Sequence, residues 1–411
     1  MEPLTYTTPE LGRRYVDLVA SMSRYGEAPD RLGREMLLSN YSGVEPSMDE
    51  LPAMRDALDE IAAHVDGLDG HEGAYMRALV RGSRALLGRL EGVERPYLET
   101  VRDIIEIDLR EIPASEGERL RAELHDGLGE LGYDGDLRQR VDAWRAETSL
   151  TGDAVIAFAK TIMDEARRAT EARVLTLPEG EGLDDVYGVR DVFYSGRSKY
   201  VGDYRGWVHF NVDKHWQRDV FVQVLTHEAY PGHQTFYALW DHLYRQGRWP
   251  IEAAFYQRNA PTNPIFEGGP ESALHFLGWD EGDTREALAL RMGQASKDLG
   301  RIAMQNACLL VNDGRMSRDE AVDLMVDHLV LRDDAERAYA FFTNPVSRTH
   351  YPQYYYGRRI VQLAFERFEG SEADRQRFFD LIYRTPHTTS TFIAAVAEAS
   401  GRPFDPFRYD A

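Results

Sequence analysis

His227 and Glu228 stand side by side at the end of the run Phe221-Val222-Gln223-Val224-Leu225-Thr226, and a second histidine, His233, follows six residues after the first. Imidazole nitrogens and carboxylate oxygens are ligands for a divalent metal, and a carboxylate that does not ligate is free to take a proton. Read as a helix, Val220, Val224 and His227 share one stripe, and Phe221, Leu225 and Glu228 share the adjacent one. The His-Glu pair therefore points inward. A buried acid needs a partner, which can be an arginine, a histidine or a metal. The plainer alternative is a salt-bridged pair with no ion.

Adjacent His-Glu on a helix belongs to the pattern H-E-x-x-H, where histidines at i and i+4 clasp zinc and the glutamate serves as general base. The spacing here is different. Over six residues an unbroken helix rises about 9 Å and leaves the side chains roughly 120° apart, too wide for one zinc with bonds near ~2.1 Å. Both histidines reach one ion only if the backbone folds back at Pro231-Gly232. Proline removes a helix hydrogen bond and glycine permits unusual dihedrals, so that dipeptide can supply the kink.

The elements that must position these residues are mostly helical. Residues 9 to about 172 read as successive amphipathic helices, with Leu18, Met22 and Tyr25 on one stripe and Met76, Leu79, Val80, Leu87 and Leu90 on another. Breaks fall at Ser42 to Pro46, at Gly67 to Gly70 and near Gly132. Between 173 and 211 the texture changes: Val174 to Leu177, Val192-Phe193-Tyr194 and Trp207 to Asn211 are β-prone and separated by glycines, which predicts a small sheet of two to four strands. From Lys214 onward helix resumes, and Ser317-Arg318-Asp319-Glu320 is a capping-box entry. The expectation is a mostly α fold: a large helical body with a small β-sheet beside the metal-site helix. A helical region 1–172 and a metal-site region 173–411 are expected to form one continuous globular unit.

Composition excludes several classes. The chain has 411 residues with 69 acidic against 48 basic side chains, a formal charge of −21, which disfavours nucleic acid or an anionic membrane as main partner. Only Lys160, Lys199, Lys214 and Lys297 are lysine; the other basic residues are arginine. The single cysteine, Cys308, precludes an intrachain disulfide and sits among Ala307, Leu309 and Leu310 as buried filler. No run of 18 apolar residues occurs, and the start MEPLTYTTPELGRRY resembles neither a signal nor a transit peptide, so a cytoplasmic location is expected.

The segment His227-Glu228-Ala229-Tyr230-Pro231-Gly232-His233-Gln234 resembles the HExxPGHH signature of the bacterial family catalogued as domain of unknown function 885. That family is itself similar to the gluzincin metallopeptidases, whose third zinc ligand is a glutamate on a later helix. Trp207-Val208-His209-Phe210-Asn211 looks like the strand ending in asparagine that precedes the motif. Phe266-Glu267-Gly268-Gly269-Pro270-Glu271 occupies the place of the family's E-G-W-A segment, and Tyr354-Tyr355-Tyr356-Gly357 resembles its late Tyr-x-x-Gly. The likeness covers roughly 190 to 400. Gln234 replaces the second histidine of the family's pair, which leaves His233 for the metal. Gly269 and Pro270 replace tryptophan and alanine, which predicts a broken helix there. Glu267 is then the preferred third ligand and Glu271 its supporting acid; if a helix starts only at Pro270, Glu271 is itself the ligand.

The resemblance implies one zinc per chain held by His227, His233 and Glu267, with Glu228 as general base and Tyr354 as a hydroxyl donor to the developing oxyanion. It implies hydrolysis of a peptide or small amide. Tyr354 also lies in an aromatic cluster of the kind that packs cores. Arg348 is a candidate for binding a substrate carboxylate. Trp207, His209 and Asn211 share one strand face, and an exposed edge there would accept an extended peptide, with a core sheet as the plainer reading. The rival from another class is a helical metal-binding or interaction protein that keeps the site without turnover.

Overall fold

The computed structural model describes residues 4–192 and 194–409, so Met1 to Pro3 of the expected leaderless start and Phe193 of the β-prone run 192–194 lie outside it. The fold is mostly α, and the sheets among the described residues have two or three strands. The chain divides into two compact units. The first comprises 1–109, 239–268 and 344–408, and the second 110–238, 269–343 and 409–411. The division expected at 172/173 does not coincide with these units. Texture along the chain reports local backbone preference, whereas the units are defined by which distant segments return to pack together.

In the first unit, helices Pro9–Gly26, Leu51–Val65, Gly70–Leu90 and Tyr97–Ile105 pack in succession, each presenting an apolar stripe inward. Leu18, Met22, Met76 and Leu79 are buried, as their spacing predicts. Strand Leu37–Asn40 pairs antiparallel with Phe255–Gln257, a two-stranded sheet that the periodicity gives no sign of. In this unit a glycine pair permits one very close crossing. A Cβ on Gly268 would sit 2.2 Å from the Gly357 carbonyl oxygen, and one on Gly357 would sit 2.2 Å from that of Pro264. Helices Asn263–Glu271 and Gln353–Phe365 meet there backbone to backbone.

The second unit is built around helix Arg285–Asn312, which packs against Ala114–Glu130, Arg218–Glu228, Arg318–Asp327 and Arg332–Thr343. Cys308 is buried on it. The capping box at Ser317 forms with both reciprocal bonds. The small sheet has three strands, Gly182–Val189, Gly196–Gly202 and Arg205–Asn211, with the last in the centre, parallel to the first and antiparallel to the second. A two-residue turn at Asp203-Tyr204, both at positive φ, joins the antiparallel pair. Val174 to Leu177 form no strand; Val174, Leu175 and Leu177 are buried as the chain leaves helix Asp153–Arg173. β-branched and apolar residues serve a buried connection as well as a strand. Because Arg205–Asn211 is the central strand, it has no free edge for an added peptide.

Candidate metal centre

Helix Arg218–Glu228 is opened by Gln217, whose side chain accepts from the Val220 N–H at 2.6 Å. It ends at Glu228, and Ala229 leaves helical space with φ −114° and ψ −89°. The Tyr230–Pro231 peptide is cis. Gly232 then lies against the helix end so tightly that a Cβ would come within 1.9 Å of the His227 carbonyl oxygen, and a new helix, His233–Arg245, begins at the next residue. Only glycine fits there. The chain thus reverses between the two histidines, and their rings meet edge to face at 4.6 Å between centroids. This removes the obstacle of the six-residue spacing.

Glu267 joins them. One ligand-type atom from each of His227, His233 and Glu267 lies within 4.8 Å of the other two, and all three residues are buried. Tetrahedral zinc sets its ligands about 3.4 Å apart, so two imidazoles and one carboxylate within 4.8 Å of one another fit such an ion in donor chemistry and need only close in slightly to hold it. Glu267 Oε1 accepts a hydrogen bond from the buried Tyr256 hydroxyl at 3.3 Å.

The helix carrying Glu267 does not break at Gly269-Pro270. It runs from Asn263 to Glu271 with Pro270 inside, and the break comes one residue later, where the Ser272 N–H donates to the Gly269 carbonyl at 3.0 Å. A proline in the last turn forfeits a single hydrogen bond, so the helix survives to its end. Glu267 and Glu271 are therefore i and i+4 on one helix face.

Glu271 occupies a different electrostatic setting. Its Oε1 lies 3.1 Å from His227 Nδ1, its Oε2 3.0 Å from Lys297 Nζ, and the Arg301 guanidinium contacts it as well. Burial alone would raise its pKa; Arg301, Lys297 and His227 together overcome that and hold it well below the usual carboxylate range. With Nδ1 turned to this carboxylate, Nε2 is the His227 nitrogen suited to a metal, the common carboxylate–histidine–metal arrangement.

Glu228 is half-buried and anchored to the sheet: its Oε2 accepts from the Ser198 N–H at 3.1 Å and from the Ser198 hydroxyl at 2.6 Å. His209 stacks on Trp207 at 4.9 Å and meets the Tyr187 hydroxyl at 3.1 Å through Nδ1. Its pKa is lowered, by burial first and then by Arg197, with Glu228 acting in the opposite sense. Asn211 spends its side-chain amide on the Val192 and Tyr194 carbonyls, and its Oδ1 accepts from the Asp213 N–H, so it shapes the loop after the strand. Tyr354 lies one turn before Gly357, its hydroxyl 3.4 Å from His350 Nε2. Arg348 is half-buried with no ion pair among the described residues. Burial and the nearby Arg348 pull the Arg89 guanidinium down to about 10.

Several residues have no signal in the motif. Gln234, in place of the family's second histidine, donates to Glu181, Gly182 and Tyr204 oxygens, and Tyr230 donates to the same Glu181 carboxylate at 2.7 Å. Glu181, between Gly180 and Gly182, is buried and paired with Arg167. Lys297 and Arg301, at i and i+4 between the apolar Ala295, Leu299 and Ile302, carry a faint signal: lysine is scarce in this chain.

No family model matches the chain, and no curated protein matches it. Solved structures share its fold, among them two described as lipoproteins. One is described as "the putative lipoprotein from Colwellia psychrerythraea", with a TM-score of 0.59 and 15% identity, covering 97% of this chain and 77% of that one. The other, "a putative lipoprotein of unknown function from Shewanella oneidensis", has a TM-score of 0.55 and 13% identity, covering 83% of this chain and 70% of that one. At such identities the likeness is one of fold. No helix among the described residues is long and apolar enough to cross a membrane.

Proposed function

We propose that this chain is a zinc-dependent hydrolase of the gluzincin kind, a metallopeptidase acting on peptides or small amides. The observation that carries the reading is the buried His227, His233 and Glu267 cluster, assembled by a chain reversal inside a His-Glu motif. Membership of the family known as domain of unknown function 885 is part of the proposal and rests on the quoted sequence segments. In it His227, His233 and Glu267 hold one zinc, which would polarise a carbonyl and acidify a water.

Glu228 takes the proton from the attacking water. Both bonds from Ser198 fall on Oε2, which leaves Oε1 for that water. Tyr354 donates to the carbonyl oxygen as charge builds there; its helix crosses that of Glu267 at the Gly268–Gly357 contact, beside the ligand. Glu271, fixed by Lys297 and Arg301, orients His227. Arg348, without an ion pair among the described residues, is the candidate for a substrate carboxylate. A cytoplasmic location belongs to the same reading; the neighbours are described as lipoproteins, and fractionation of cells expressing the chain separates the two.

The test is Glu228→Gln, screened with wild type on a mixed peptide library. The variant keeps shape and loses the base, so zinc content and Tm stay near wild type while hydrolysis falls by about 10² to 10⁴. Full activity in the variant overturns the mechanism. A silent wild type that still holds zinc selects the non-catalytic metal-binding protein instead.

A further inference from the structure

Four helices of the second unit enclose a cavity of about 520 Å³ that contains none of the residues discussed for the metal centre. Helix Leu137–Glu147 supplies Trp144 and Glu147, helix Asp153–Arg173 supplies Phe158, Ile162 and Glu165 at i, i+4 and i+7, and the first turns of Arg218–Glu228 and Arg285–Asn312 close it. Tyr133 and Trp279 come from connecting segments. Four of the lining residues are therefore aromatic: Tyr133, Trp144, Phe158 and Trp279. The volume falls within the range of sites that bury a small organic molecule.

The charges around the cavity are unequal. Asp219 at the wall is already satisfied: the Trp144 indole N–H donates to it at 3.0 Å, Gln217 at 3.1 Å, and Arg218 pairs with it at 3.3 Å. Arg285 donates to the Leu131 carbonyl at 2.8 Å. The mouth carries three exposed acids, Glu147, Glu165 and Glu286, none of which has an ion pair among the described residues. Glu147 lies close enough to Tyr133 to help burial raise that phenol's pKa. Even against Arg285, the unpaired charge at the opening is negative.

An anion would meet three carboxylates at the mouth, and a neutral apolar molecule would gain nothing from them. A cation with an apolar body uses both features, its charge near the acids and its body against aromatic faces. We propose that this cavity is a binding site for a small arylalkylammonium cation. The proposal is independent of the metal reading and needs no zinc for its test.

Isothermal titration calorimetry on the full chain, with benzyltrimethylammonium, benzyl alcohol and 3-phenylpropionate as probes, decides it. The cation should bind at least about 10-fold more tightly than either other probe, and less tightly as salt is raised. The triple variant Glu147→Gln, Glu165→Gln, Glu286→Gln, all at exposed positions, should weaken the cation about 10-fold and leave the alcohol unchanged. Ala289→Trp, which projects an indole from the wall into the cavity, should weaken cation binding at least about 10-fold; should it fail to fold, the triple variant still gives the answer. Equal or tighter binding of the alcohol or the anion, no binding of the cation, or a triple variant with wild-type cation affinity each overturns the assignment.

Discussion

Two pairs of histidines in this molecule have almost the same ring geometry and quite different surroundings. His227 and His233 meet at 4.6 Å with planes at 87°, and His71 and His387 meet at 5.1 Å with planes at 88°. Around the first pair stand two carboxylates, Glu267 in the ligand cluster and Glu271 at 3.1 Å from His227. Around the second stand Tyr6, Tyr75 and Phe392, and the groups acting on His387 are burial, His71 and a backbone carbonyl. Proximity of two imidazoles is therefore not what distinguishes the proposed metal site. The carboxylates are, because they supply the negative charge that a divalent ion needs and the partner that fixes a ring nitrogen.

The largest effect expected from this contrast is in metal content. Wild type loaded with zinc and dialysed should retain about one ion per chain. His227→Ala and His233→Ala should each lose it, whereas folded His71→Ala and His387→Ala should keep it. Elemental analysis of all five proteins makes the comparison, and zinc retained in His233→Ala would remove that residue from the ligand set.

A smaller effect separates the two acids. Glu271 is neutralised by Lys297, Arg301 and His227, so its lone pairs are committed, and it is Glu267 that lies in the buried ligand-type cluster with the two histidines. Glu267→Ala should lower zinc affinity more than Glu271→Ala, which should cost about 10- to 100-fold through loss of His227 orientation. Glu271→Ala should in addition destabilise the fold by about 3 kcal/mol, since it removes a buried carboxylate that pairs with two mostly buried cations. Chelator competition gives the order of affinities, and the reverse ranking would move the ligand to Glu271.

The two regions also differ in how much of them the sequence discloses. Around His227 the residue types, the inward stripe and the Pro231-Gly232 dipeptide together require a chain reversal if one ion is to be held, and Gly232 packs where no Cβ fits. Glycines 268 and 357 belong to segments that carry the family resemblance, but the reason for a glycine at each shows only where the helices cross through them. What stayed hidden depends on long-range packing. Glu181, Ser198, Lys297 and Arg301 reach the site's surroundings from elements far away in sequence, and a lone acid or serine carries no periodic signal. The strand Leu37–Asn40 is short, and its partner lies over 200 residues later, so local propensity had nothing to register.

The smallest effect belongs to the histidines without carboxylates, and it is a pH dependence. Burial, followed by the neighbouring His71, pushes the His387 pKa from 6.5 down to about 3. The folded state therefore keeps this imidazole neutral while the unfolded chain takes up a proton below about pH 6.5. Its contribution to stability is complete above that pH and is lost progressively as the pH falls toward about 3. The loss approaches about 1.4 kcal/mol per pH unit for one group. His387→Gln removes the titration without introducing a charge. Urea unfolding at several values between about pH 6 and pH 4 should show a steeper decline for wild type than for the variant, the difference corresponding to about one proton. Carboxylates titrating in the same window contribute to both proteins and cancel in the difference. Equal slopes would mean that His387 gains its proton within the folded state, and the apolar surroundings that distinguish this pair from His227 and His233 would then not govern its charge.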